Sequence, residues 1–402
     1  MLERRTFLSR AAGMAAALVL ASRTRRVAAT TGPDLGTRLY ELVRIYAKRT
    51  HHRTGSRKEW RTTNWFAGEL ARRGATTSLV PYDFDRFIGR THVAIGGRRV
   101  QSLPLFYSWI GAVDTTAPAT GSLVVANNSS AADLPVLIAN AQSAGAPALV
   151  LATTSNLDAE GRIIAVNLDP VLGSGLPVVL VGGAQATTLA GAAIRVRARA
   201  RLVPGRSSNV YAVFGTPAAD PVVVATPLSG WWRCAGERGT GIAVALELAA
   251  RLAQSYPTIV IGTTGHELNY LGLMRFLAQQ PLTPRLIVHL GASVAAGTAD
   301  GVGGLTLSSM RFAAENFDAA TGAAVAAALA PASFIDLHDP VAFLGEGTIW
   351  QTVGAPLLSF SGTFPLFHTD GDTAKQTVAA APLATVYAAI EQATLTALAA
   401  LP

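Results

Sequence analysis

The sequence predicts an α/β protein: a mostly parallel central sheet covered by helices on both faces, with a β-rich segment inserted into it. Three observations carry that expectation. After residue 206, short strands of the buried type alternate with apolar helices, the pattern of crossover units in a parallel sheet. Between 105 and 205, short apolar strands are separated by Gly, Asn and Ser, as in a compact β-rich unit. Half of the 402 residues are hydrophobic and 14% are charged, which supports a large core and excludes a disordered chain or a charged coiled coil. The expected organisation is a leader at 1–29, a first part of the main domain at 30–104, the insert at 105–205 and the rest of the main domain at 206–402.

The leader runs basic, apolar, small: Arg4-Arg5 with Phe7 and Leu8, an apolar run at 11–21, then Ala28-Ala29. Paired arginines ahead of an apolar run too short to cross a bilayer resemble the twin-arginine export signal. That resemblance implies export in a bacterium, to the periplasm, cell surface or medium, with membrane contact only if the leader is uncleaved. Arg23, Arg25 and Arg26 leave cleavage open. Residues 1–29 hold six arginines and one glutamate, so the remainder carries +3 of the formal +8. No dense basic run is visible after Arg26, so charge gives little reason to expect a nucleic-acid or anionic-membrane partner. The single cysteine, Cys234, excludes an intramolecular disulfide and a thiolate-only zinc site.

In chain order, Pro33-Asp34 opens a helix in which Leu39, Leu42, Val43 and Tyr46 recur at helical spacing. A second helix has Trp60, Phe66 and Leu70 on its apolar side and stops at Gly74. Strands are expected at 77–82, 92–95 and 98–103. The insert offers strands at 122–126, 148–151 and 176–181 and a helix at 136–143. The main part offers strands at 222–225, 258–262 and 286–290, helices at 241–254 and 268–277, and a strand ending at Phe360. No later stretch reads as a membrane-spanning helix.

Sites in open α/β sheets lie beyond the carboxyl ends of the strands. After the first strand come Thr226, Trp231, Trp232, Cys234, Glu237 and Arg238; after the second, His266 and Glu267; after the third, Gly291; after the last, His368 and Asp372. Glu237, Glu267 and His368 are two carboxylates and an imidazole delivered from three strand ends, an oxygen and nitrogen set that suits a catalytic zinc. The same residues also serve as helix caps and ion-pair partners, and position leaves both uses open. Trp231 and Trp232 either fill the core or wall a substrate pocket. His289, inside a strand, reads as a packed core histidine.

Residues 121–181 resemble the protease-associated domain through Gly121-Ser-Leu-Val-Val, Asn140-Ala-Gln-Ser-Ala-Gly145 and Gly175-Leu-Pro-Val-Val-Leu-Val. The chain from Asn209 onward resembles the co-catalytic two-zinc aminopeptidases and carboxypeptidases, a family that includes glutaminyl cyclases and transferrin receptors. His368-Thr-Asp-Gly-Asp372 matches its late His-Thr-x-x-Asp motif, and His266-Glu267 stands where it has Glu-Glu. The bridging aspartate falls on Glu237 and the asparagine after it on Arg238. The first-strand histidine falls on Thr226 and the third-strand aspartate on Gly291, so both private ligands of one metal are lost.

The resemblance implies metal-assisted amide hydrolysis on a peptide or aminoacyl substrate, with at most one zinc held by Glu237, Glu267 and His368. His266 then stands in the general-base position, Asp372 orients the His368 loop, and Arg238 lies beside the metal. Two alternatives remain open: a glutaminyl-cyclase-like single-zinc enzyme, and a non-catalytic pseudo-peptidase whose Arg238 guanidinium replaces the cation and whose insert binds a protein ligand.

Overall fold

The computed structural model describes residues 33–168, 173–216, 219–301 and 304–402. The expected leader lies outside the described residues. The centre is a ten-stranded sheet whose order, by residue range, is Ile335–His338, Arg311–Glu315, Leu357–Gly362, Leu286–Leu290, Val222–Pro227, Thr258–Thr263, Ile194–Phe214, Ala75–Ile95 and Arg98–Val100. Gly111–Thr115 pairs beside Ile194–Phe214. The four middle strands, from Leu357–Gly362 to Thr258–Thr263, run parallel, and both flanks turn antiparallel. Valine and isoleucine dominate those middle strands because both faces are covered, and every residue of Val222–Pro227, Thr258–Thr263 and Leu286–Leu290 is buried.

Pro33–Lys48, Thr240–Leu252 and Ala380–Ala400 pack together on one face. Ala380–Ala400 is long and apolar enough to cross a bilayer by composition, contrary to the expectation of no such stretch. Its inner side, including Leu383, Val386, Ile390 and Ala397, is buried against the neighbouring helices. In Arg57–Arg72, Phe66 and Leu70 are buried as expected, but Trp60 is 58% exposed, so it belongs to the outer side of that helix. Ser56 caps this helix by accepting from the Glu59 N–H at 3.0 Å.

The expected strands at 77–82 and 92–95 are parts of a single 21-residue strand, Ala75–Ile95, paired along its whole length with Ile194–Phe214. Charged and polar residues interrupt the hydrophobic alternation without breaking the ladder, because only one face of the outer ribbon is buried. Its inner end joins the central sheet. Its outer end carries a second sheet of Ser102–Pro104, Val178–Gly182, Leu149–Thr154 and Ala119–Val124, with its own core around Leu123, Leu151 and Leu180. The outer ribbon also gathers charge that the linear reading overlooked. Arg195, Arg197, Arg199 and Arg201 alternate with buried Ile194, Val196, Ala198 and Ala200.

Candidate functional site

The four parallel strands deliver their carboxyl-end loops to one edge of the sheet, and the inserted sheet closes over it. The loop after Val222–Pro227 turns through Cys234 at φ 46° into a single π turn, Ala235–Gly239, that leads into helix Thr240–Leu252. Asn269, Tyr270, Ser293 and His368 also adopt positive φ in these loops. Each such non-glycine residue costs on the order of 1–3 kcal/mol, and strain of this kind gathers at functional edges.

Glu237, Arg238, His368 and Asp372 come together. The Arg238 Nη2 lies 2.8 Å from Glu237 Oε1, and both side chains are fully buried. Arg238 Nε donates to the Ser229 carbonyl oxygen at 3.1 Å. His368 Nε2 approaches the same Glu237 oxygen at 3.4 Å, while its Nδ1 faces the Ala165 carbonyl of the insert at 3.1 Å. Burial opposes ionisation of Glu237, but the Arg238 guanidinium and the His368 ring outweigh it and hold the carboxyl at about 2. Burial likewise opposes the charge on Arg238, and Glu237 more than restores it.

The Asp372 carboxylate accepts from the Gly236 and Glu237 N–H groups at 2.7 and 3.0 Å and from Thr377 Oγ1 at 2.8 Å, so it fastens the His368 loop to the Glu237 turn. Burial, with Glu237 nearby, pushes Asp372 up to about 7.

Glu267 is turned elsewhere. Its Oε1 accepts from the Thr54 N–H at 2.6 Å and its Oε2 from Ser229 Oγ at 2.9 Å. Its charge also acts on Arg53, whose guanidinium lies 3.3 Å over the Phe106 ring and is lowered to about 10 by burial. Each of the two expected ligand carboxylates thus has protein partners of its own. Among the described residues, no group of three His, Cys, Asp or Glu side chains is placed to hold a metal ion. A zinc on Glu237 would also face the guanidinium, and a divalent ion about 4 Å from a unit positive charge is repelled by about 8 kcal/mol at an effective dielectric of ~20. The residues present do not fit a three-ligand zinc site. The expected set of Glu237, Glu267 and His368 is not assembled here.

Thr226 and Gly291, where the resemblance expects metal ligands to be missing, are both closed by packing. Thr226 is fully buried and donates to the Leu290 carbonyl at 2.8 Å. A Cβ on Gly291 would stand 2.6 Å from the Phe360 carbonyl oxygen and 2.9 Å from His289 Cε1, so an aspartate has no room. His266 is held at its N–H by Ser229 Oγ and at Nδ1 by Glu346 Oε1, at 3.1 and 3.2 Å. Burial, aided by Arg238, keeps the ring well below its ordinary titration range. Glu346 also accepts from Thr263 Oγ1 at 2.7 Å, and burial raises its carboxyl.

A cavity of about 580 Å³ opens above these loops, lined among others by His266, Tyr270, His289, Glu346, Phe367 and His368, with Asn127, Ser129 and Asn167 from the insert. Glu237, Arg238 and Glu267 lie outside its lining. Trp231 and Trp232 also lie outside it, so of the two uses the sequence left open they do not wall this cavity. Trp231 packs on Phe106 and donates from Nε1 to Asn167 Oδ1 at 2.8 Å, joining the insert to the main sheet. His289 is buried as expected but forms part of the cavity wall. Its Nδ1 meets Ser359 Oγ at 2.8 Å, and burial lowers the ring to about 4.

Sequence reasoning missed Ser229, which bonds Arg238, Glu267 and the His266 backbone at once. It also missed Thr54, Glu346 and Tyr270. Ser229 stands three residues after Thr226, in the loop beyond the first strand's carboxyl end; Glu346 lies in a loop with no motif to mark it.

This is a zinc aminopeptidase-like fold. Solved structures similar to the chain include a zinc aminopeptidase from Bacillus subtilis, with TM-score 0.66 and 16% identity over 89% of this chain and 94% of that one. A peptidase M28 precursor from Shewanella amazonensis has TM-score 0.71 and 15% identity over 90% and 95%. An aminopeptidase from Aneurinibacillus has TM-score 0.57 and 17% identity over 90% and 93%. No family model matches the chain, and no curated protein sequence matches it.

Proposed function

We propose that this protein uses a peptidase-like fold for recognition rather than hydrolysis, receiving a peptide-like or aminoacyl ligand in the cavity above the strand ends. The observation that carries the reading is the buried Glu237–Arg238 ion pair, in which a guanidinium stands against the oxygen a metal would need. The cavity wall supplies what an amide ligand requires: the imidazoles of His266 and His289, kept neutral by burial, side-chain amides of Asn127 and Asn167, and the apolar surfaces of Phe312 and Phe367. We read the insert as protease-associated-like and the leader as an export signal, so that recognition takes place outside the cytoplasm.

A second reading, a single-zinc amide-processing or glutaminyl-cyclase-like enzyme, has one observation in its favour. Glu237 Oε1 and His368 Nε2 stand 3.4 Å apart with no hydrogen bond between them. It requires both Arg238 and Glu267 to leave their present partners.

Calorimetric titration with short peptides, alongside turnover assays on aminoacyl amides and N-terminal glutaminyl peptides, tests the choice. The expected result is binding without turnover, weakened roughly tenfold by Tyr270→Ala through loss of one aromatic contact. Turnover that disappears in Glu267→Ala would instead support the zinc enzyme. Cell fractionation with Arg4→Lys and Arg5→Lys tests export, since a twin-arginine leader should fail when both are changed.

A further inference from the structure

The outer end of the long ribbon presents a cationic plane that the cleft does not use. Here Arg98–Val100, Ala75–Ile95, Ile194–Phe214 and Gly111–Thr115 lie side by side. In the strand register, Arg99 sits across from Ala94, which faces Arg195; Arg90 sits directly across from Arg199. Directly paired residues share a face, and residues two apart along a strand return to it at roughly 6.7 Å. Arg90, Arg99, Arg195, Arg197, Arg199 and Arg201 therefore share one face, and all six are exposed. Asp114 is the one acid in the outer segments 88–95, 98–100, 111–115 and 194–201. It pairs with Arg195 and Arg197 at 3.1 and 2.9 Å, and among the described residues the other four arginines have no salt bridge. Facing like charges such as Arg90 and Arg199 destabilises a sheet. The opposite face, with Ile95, Val196 and Ala198, is buried in the main core, so the arginines cannot be relieved by turning the ribbon over.

We infer that this face docks on an anionic lipid surface, with the guanidinium groups engaging headgroup phosphates. Charge complementarity and shape favour that occupant. The arginines lie on three neighbouring strands, roughly 10 Å across the ladder and roughly 20 Å along Ile194–Phe214, a flat patch that can meet several headgroups at once. Their outward-facing neighbours on the long strands are Ile88, His92 and Ala94, without the Phe, Tyr or Trp platforms on which single-stranded bases stack. Ile110, next to the fourth strand, is an apolar side chain left 53% exposed, of the kind a headgroup layer can take up. Forked guanidinium groups suit phosphate oxygens in particular.

The test is cosedimentation of the full chain with vesicles of equimolar phosphatidylglycerol and phosphatidylcholine, against vesicles of phosphatidylcholine alone. Wild type is expected on the anionic vesicles only, with binding that falls as salt rises. Combining Arg90→Ser, Arg99→Ser, Arg199→Ser and Arg201→Ser is expected to weaken binding by roughly several hundredfold, from about fivefold per charge. The same four positions changed to lysine should retain most of it, which separates charge from folding. Unchanged binding by the serine variant, no binding by wild type, or tighter binding to DNA at equal phosphate would each overturn the inference.

Discussion

Replacing Arg238 with methionine probes the buried pair directly, because it keeps much of the side-chain volume while removing the charge. Glu237 is held at about 2 against an ordinary 4.5, and at about 1.36 kcal/mol per pH unit this corresponds to about 3 kcal/mol of stability at neutral pH. The general cost of leaving one member of a buried pair without its partner, about 3–5 kcal/mol, agrees. The folded value lies below the unfolded one, so the contribution is complete above about 4.5 and is lost as pH falls toward about 2. Urea denaturation should therefore show Arg238→Met about 3 kcal/mol less stable at neutral pH and closing on wild type through that acid window. Adding Glu237→Gln should recover much of the loss, since it removes the unpaired charge. A single variant as stable as wild type at neutral pH, or a gap indifferent to acid, would mean that Arg238 does not stabilise the buried Glu237 carboxylate.

Placing an aspartate at the third strand end by Gly291→Asp should destabilise the protein by about 1–3 kcal/mol, because its Cβ meets the Phe360 carbonyl and His289; denaturation midpoints check it. Trp231→Ala should cost about 3–5 kcal/mol and loosen the insert first, read as earlier proteolytic cutting within 105–182. The His289 ring should remain neutral at neutral pH and titrate near about 4, seen in its Cε1 proton shift; a midpoint near 6.5 would contradict the buried environment.

The strand-end loops and their order were legible because a parallel sheet writes itself as apolar runs separated by helices, and Val222–Pro227, Thr258–Thr263 and Leu286–Leu290 are of that kind. The convergence of Glu237 and His368 followed from topology. The direction of Glu267 did not, because it depends on Thr54 and Ser229, which no spacing rule connects to it. The tryptophans were ambiguous for the same reason: a pocket wall and a domain seam have the same local sequence. The 21-residue strands were hidden by polar residues on their solvent face. The arginine plane requires strand register, since Arg90 and Arg199 are 109 positions apart and meet only in the ladder.

If the Arg238 guanidinium stands where a metal would sit, as we propose, the metal content of the protein will show it. Protein incubated with excess zinc and passed through a desalting column should carry no stoichiometric zinc, and Glu237→Ala or His368→Ala should not alter that. One tightly held zinc per chain, lost in either variant, would show instead that the guanidinium does not displace a metal.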